Sequence, residues 1–169
     1  MRIVVSDTSC LIDLRKGDLL ETMLQLPYSF VMPDTLFENE WLGLRADEKR
    51  TLLNLGLEVH TLPGSLVQRA AQYFNQYARL ALNDCFALVL AEQNEDCILL
   101  TGDGLLRRIA EKKGIEVHGV LWATDEMEAQ GIVPVEVLHN ALQLFLEDEL
   151  VFLPADETRR RIRRLARQL

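Results

Sequence analysis

The sequence has few of the features that mark secreted or membrane-embedded chains. Its three cysteines, Cys10, Cys85 and Cys97, have no metal-ligand spacing, so we expect small core residues in a reducing compartment. No apolar run approaches the length of a membrane span. Arg2 is followed at once by strand-like residues and Asp7, so we expect no signal peptide. These absences predict a cytoplasmic protein with no membrane contact.

Positive charge is also scarce. The chain has 18 Lys and Arg against 26 Asp and Glu, a net charge of −8, which argues against general nucleic-acid binding. From Asp156 to the end, six arginines and two acids give +4, so the rest carries −12. The run favours a solvated helix face, with a nucleic-acid-contacting arm and docking on another subunit's acidic body as alternatives. Its members are Arg159, Arg160, Arg161, Arg163, Arg164 and Arg167.

Hydrophobic residues make up 49% of the 169 residues, enough for one domain with a substantial core. Short apolar runs alternate with segments of helical periodicity, which predicts an α/β fold. We expect a three-layer αβα sandwich with a mainly parallel sheet of about four to five strands. The prediction is a single domain over residues 1–169, with a helical C-terminal extension from about 120 to 169. The predicted strands cover residues 3–5, 28–32, 57–60, 96–101 and 115–118.

The stretch from Ile3 to Leu14 is predicted to form the central strand and the helix that follows it. An apolar, β-branched run ends at Ser6 and is followed by Asp7, and helical spacing begins within the next few residues. Asp7 is therefore predicted at the carboxyl end of a buried strand, where ligands bind in open α/β sheets. A carboxylate at this point either caps the helix or holds a ligand.

Other acids occupy comparable positions. Asp103 follows the apolar strand at residues 98–101, and Asp84 begins the most apolar helix. Glu38 and Glu40 are predicted to lie on the helix that follows the second strand. Carboxylates gathered at one sheet edge repel each other unless a cation compensates, and all-oxygen ligation suits Mg²⁺ or Mn²⁺ rather than zinc. Such a site supports phosphodiester hydrolysis. The neighbouring hydroxyl residues that are candidates to support the acids or a bound water are Thr8, Ser9 and Thr101.

Three segments together resemble the PIN-domain family: Val4–Asp13, Asn83–Leu88 and Leu99–Asp103. The resemblance runs from about Met1 to His118. It implies an Mg²⁺- or Mn²⁺-dependent ribonuclease, and many bacterial and archaeal members are VapC-like toxins of toxin–antitoxin pairs. RNA is then the substrate, an antitoxin protein is a candidate partner, and a homodimer is expected.

The resemblance also implies the ligands. Asp7, Asp84 and Asp103 would hold the metal and serve catalysis together with one glutamate. Helical phase, with Leu36 and Trp41 as neighbours, favours Glu40, and Glu38 is the alternative.

Departures from the family pattern leave a second hypothesis open. This chain is longer than the family's toxins. Lysines and arginines near the acidic edge are sparse. The exceptions are Arg107 and Arg108, which are candidates to contact RNA phosphates. The rival hypothesis is a PIN-like module that no longer cleaves and serves in binding or assembly. The remaining acids of interest, Asp13, Asp18 and Asp125, are predicted to be surface or capping residues.

Other folds that place an acid at a strand end fit poorly. Haloacid-dehalogenase phosphatases need two aspartates two residues apart, whereas Thr8 and Ser9 follow Asp7. A receiver domain needs a phospho-acceptor on its third strand and a late lysine, and neither is evident in this sequence. A dinucleotide-binding fold needs a glycine-rich first turn, whereas the turn after the first strand here has no glycine.

Overall fold

A computed structural model describes residues 1–39 and 43–169. Within these ranges it contains five strands that form one sheet in the order β3-β2-β1-β4-β5. Every neighbouring pair is parallel, as the alternation of strands and helices predicted. The strands are β1 (Arg2–Ser6), β2 (Tyr28–Pro33), β3 (Glu58–His60), β4 (Ile98–Leu100) and β5 (Glu116–His118).

The most apolar strands lie at the centre of the sheet. Val4 and Val5 of β1 are fully buried, and so are the three residues of β4 beside them. The register pairs Val5 with Val31 on one side and with Leu99 on the other. A strand covered on both faces by helices has no polar side to show, which explains its unbroken apolar run.

Helices flank the sheet in a three-layer αβα arrangement, which confirms the predicted fold class. The most apolar helix, α6, packs on β1, β2 and β4, and α8 packs against β5 and the first two helices. No helix in the described ranges is long and apolar enough to cross a bilayer. The helices are α1 (Thr8–Lys16), α2 (Leu20–Met23), α3 (Asp34–Phe37), α4 (Ala46–Asn54), α5 (Gly64–Gln76), α6 (Leu82–Glu92), α7 (Gly104–Lys112), α8 (Val120–Gln130), α9 (Val135–Glu147) and α10 (Ala155–Ala166).

The arginine-rich helix α10 docks on the chain's own acidic surface. Arg161 is only 15% exposed and pairs with Asp125 of α8 at 2.6 Å and with Glu157 at 3.0 Å. Arg164 pairs with Asp125 at 3.2 Å and also with Glu128. Arg161 therefore departs from the predicted solvated arginine face, whereas Arg164 is ion-paired but still 47% exposed. Asp125, predicted to be a surface or capping acid, is the ion-pair partner of both arginines. Opposite charges indicated docking, but charge alone does not specify whether the acidic surface belongs to the same chain.

Candidate functional site

Asp7 lies at the carboxyl end of the central strand β1 and caps helix α1. Its backbone N–H donates to the carbonyl of Leu100 at 3.0 Å, so the ladder between β1 and β4 holds the residue in place. Its Oδ1 accepts a hydrogen bond from the N–H of Cys10 at 3.0 Å. The capping role left open by the sequence is thus present, and it does not prevent ligand binding, because a carboxylate has about four acceptor positions.

Two of the hydroxyl residues expected to support the acids do contact Asp7. Ser9 Oγ lies 3.0 Å from both carboxylate oxygens, and Thr101 Oγ1, from the end of β4, donates to Oδ2. Thr101 Oγ1 also accepts from the N–H of Asp103 at 3.1 Å, so it links two of the acids. The third hydroxyl, Thr8 Oγ1, is buried with no hydrogen-bond partner in the part of the chain that the structure describes.

Asp7 is 2% exposed, and this burial raises the pKa of its carboxyl. Loss of hydration disfavours the charged form, while the hydrogen bonds from Cys10, Thr101 and Ser9 act in the opposite direction and lower the pKa. The position at the N-terminus of α1 also favours negative charge. The protein therefore holds this carboxyl in a fixed orientation at some electrostatic cost.

Asp103 repeats this arrangement after β4. It caps α7, where its Oδ1 accepts from the N–H of Leu106 at 2.7 Å. Asp84 lies in the first turn of α6, and its Oδ2 accepts from the N–H of Ala81 at 3.2 Å. All three aspartates thus occupy helix N-termini, where the helix dipole favours a negative charge.

The surroundings of Asp84, including the other two aspartates, disfavour its charged form. Burial first, and then the charges of Asp7 and Asp103, raise its pKa to about 6. Carboxylates that lie near one another gain stability from a bound cation, and carboxylate oxygens are the donors that Mg²⁺ and Mn²⁺ prefer. The donor chemistry therefore fits such an ion. Among residues 1–39 and 43–169, however, no three His, Cys, Asp or Glu side chains are grouped closely enough to hold an ion.

Of the two glutamates predicted as the fourth ligand, Glu38 alone lies among the described residues. Glu40, the favoured glutamate, and its neighbour Trp41 lie outside the described residues. Glu38, the alternative, follows the end of the short helix α3, with its side chain 74% exposed and 3.9 Å from Lys49 Nζ. The helix predicted to carry both glutamates ends at Phe37.

A cleft of about 380 Å³ opens between these acids and the C-terminal part of the chain. Its lining includes Asp13, whose pKa is raised to about 6, first by burial and then by the charges of Asp7 and Asp148. Asp13, expected to be a surface or capping acid, is half-buried and lines this cleft. Ser9, Ile12 and Asp13 lie at i, i+3 and i+4 of α1, a spacing that places all three on one helix face and could have revealed it. The described lining residues are Ser9, Ile12, Asp13, Asp84, Gly102, Asp103, Leu150 and Phe152.

The arginines predicted to contact RNA differ from each other. Arg107 Nη1 donates to the carbonyl of Val117 at 3.1 Å and lies 3.6 Å from Glu111, so it holds α7 against β5. Arg108 is exposed beside Gly104. Only Arg108 is available for phosphate contact in the way the sequence suggested.

A larger cleft of about 630 Å³ lies at the opposite, amino ends of the strands. Its charged groups are bound to each other: Glu92 pairs with Arg69 at 3.1 Å and with Lys113 at 3.0 Å, and accepts from Tyr73 Oη at 2.8 Å. Ligands of parallel sheets bind at the carboxyl ends of the strands. We therefore place the candidate site at the acidic edge, although its cleft is smaller.

Comparison with known proteins identifies the family of this chain. A protein-family model described as a PIN domain matches residues 3–167, nearly the whole chain and including the C-terminal helices. No curated protein sequence gives a significant match. With its all-parallel five-stranded sheet and acidic carboxyl edge, the chain has a nuclease fold and belongs to the PIN-domain family.

Proposed function

We propose that this chain is a divalent-metal-dependent ribonuclease that hydrolyses RNA phosphodiester bonds at the acidic edge of the sheet. The observation that carries the proposal is geometric: Thr101 contacts both the Asp7 carboxylate and the backbone N–H of Asp103, and Asp103 lines one cleft together with Asp84. Burial, and then the charges of Asp7 and Asp103, raise the pKa of Asp84 to about 6. A site that a cation would stabilise, in a nuclease fold, supports metal-dependent phosphodiester chemistry.

In this proposal Asp7, Asp84 and Asp103 hold Mg²⁺ or Mn²⁺, with Glu40 or Glu38 as the fourth acid. The cation, when bound, supplies the Lewis acidity that activates water for attack on phosphorus. Ser9 and Thr101 keep the Asp7 carboxylate oriented through the hydrogen bonds described above, and so they act as positioning residues.

The test is cleavage of single-stranded RNA by the wild type and by Asp7→Asn, in Mg²⁺ and in Mn²⁺. We expect Asp7→Asn to lower the rate roughly hundredfold or more, because it removes a ligand charge at the centre of the site. Asp156→Asn is a matched control, since that carboxylate is 97% exposed on α10. Absence of cleavage by the wild type with either metal would refute the proposal.

We also propose, within this function, that the protein is the toxin of a toxin–antitoxin pair and forms a homodimer. A gene for a small partner protein directly upstream, whose product binds this chain and suppresses RNA cleavage, would support the toxin role. Sedimentation of the purified chain tests the dimer. A free monomer with no such neighbouring gene would contradict both.

One observation favours the rival hypothesis of a module that binds without cleaving. The Asp7 carboxylate already accepts hydrogen bonds from Cys10, Ser9 and Thr101, so its place in the fold is accounted for without a metal. Metal-independent RNA binding by a wild type that does not cleave would favour this alternative.

A further inference from the structure

Two large apolar side chains form a lip beside the acidic cleft. Leu150 and Phe152, in the segment between α9 and α10, are 74% and 83% exposed, and both line the cleft together with Asp84 and Asp103. A single exposed apolar side chain needs no explanation. A pair that lines the same cleft as the acids indicates a binding role.

The backbone under this apolar lip is fixed. Asp148 ends α9, and its carboxylate lies 3.1 Å from Lys16 Nζ of α1. The N–H of Val151 donates to the Asp148 carbonyl at 3.0 Å, and the Val151 side chain is buried. Because Val151 is buried between them, Leu150 and Phe152 lie on either side of an anchored residue, and both line the cleft.

The charge of the protein limits how it can hold a nucleic acid. The net charge is −8, the cleft is lined by aspartates, and Arg107 is engaged with Val117 and Glu111. Contacts to phosphates therefore supply little affinity here. Stacking of a base on an aromatic ring does not depend on positive charge, and every base presents a flat face to such a ring.

We propose that Phe152 is a stacking platform for an unpaired base of single-stranded RNA, with Leu150 flanking it, and that it positions the strand across the acidic edge. The inference rests on the proposed function, since RNA is the occupant. Phe152 is a positioning residue, because the ring contacts a base and takes no part in the hydrolysis.

The test is equilibrium binding of a 5′-labelled single-stranded RNA in Mn²⁺, measured by fluorescence anisotropy. All variants carry Asp7→Asn, or Asp103→Asn if the first does not fold, so that the RNA stays intact. We expect Phe152→Ala to weaken binding about tenfold and Phe152→Tyr to stay within about twofold of the parent. Phe74→Ala is the matched control, because Phe74 is also exposed but does not line the cleft, and it should bind as the parent does.

An abasic oligonucleotide of the same length separates stacking from other causes, since it keeps the phosphates and lacks the bases. We expect it to bind the parent and Phe152→Ala equally. Equal binding of base-containing RNA by Phe152→Ala and its parent would overturn the proposal. So would a change in self-association without a change in RNA binding, which would make the lip a protein-docking surface.

The two proposals fail in different ways. If the wild type cleaves RNA and Phe152→Ala binds it normally, the stacking platform is refuted and the nuclease stands. If RNA binding depends on Phe152 but the wild type does not cleave, the nuclease is refuted and the platform stands.

Discussion

The carboxyl of Asp84 links the electrostatics of the site to the pH dependence of the free energy of unfolding. Its pKa of about 6 lies above the ordinary aspartate value of 3.8. The folded state therefore binds the proton more tightly than the unfolded state does, and stability falls as the pH rises from about 4 through about 6. Above that range the folded protein carries a carboxylate that its surroundings disfavour.

We expect Asp84→Asn to raise the free energy of unfolding of the metal-free protein near pH 8 by about 1 kcal/mol, a value discounted for the half-exposed position of the side chain. The gain should shrink towards about pH 5.5, where the wild-type carboxyl becomes protonated. Urea unfolding in EDTA across this range measures it, with Asp156→Asn as the control. Parallel pH profiles for Asp84→Asn and the wild type would contradict the assignment.

At the scale of elements, α10 shows how a charged helix is held to its own chain. Arg161 is largely buried against Asp125 and Glu157. Arg160 on the same helix is 69% exposed and, within the part of the chain that the structure describes, pairs with Glu157 alone. Exposed ion pairs contribute little to stability, while a partly buried carboxylate that loses its partner is destabilising.

Arg161→Ala should therefore lower the free energy of unfolding by about 1–2 kcal/mol, and Arg160→Ala by less than about 0.5 kcal/mol. A double-mutant cycle with Asp125→Ala isolates the coupling between Arg161 and Asp125. If the two substitutions lowered the free energy of unfolding equally, the ion pairs of Arg161 would contribute no more to stability than the exposed pair of Arg160.

The sequence predicts the elements of this fold well because their signals are local. The unbroken apolar runs at residues 3–5 and 98–100 indicate strands that are buried on both faces. The acids that follow these runs mark the carboxyl edge of the sheet. The end of α3 at Phe37 was missed, since the predicted helix extended past Glu38. The approach of Phe152 to the acids was also missed, because it joins residues far apart in the chain and no periodicity encodes it.

At the scale of the whole molecule, a net charge of −8 with a cluster of carboxyls at one sheet edge should make stability depend on divalent cations. A ligand at about 100 times its dissociation constant stabilises the folded state by about 2.7 kcal/mol. For a chain of this size that corresponds to a rise in Tm of roughly 5–10 °C.

We expect saturating Mn²⁺ to produce such a rise near neutral pH and EDTA to reverse it. Asp103→Asn should lose most of the rise while remaining folded, and Asp156→Asn should keep it. Differential scanning calorimetry gives the Tm values, and titration calorimetry gives the affinity for Mn²⁺. An unchanged Mn²⁺ affinity in Asp103→Asn would place the ion elsewhere.

The strand order has a consequence for synthesis on the ribosome. β1 is made before β4, and Thr101, which contacts the Asp7 carboxylate, follows Asp7 by 94 residues. At about 5–20 residues per second, roughly 5–20 s pass between the emergence of the two partners. Until then β1 has no β4 to pair with, and Asp103, which follows β4, cannot lie beside Asp7. A nascent chain that ends before β4 therefore has no assembled site, and any activity of this edge begins only after β4 and Thr101 have been made.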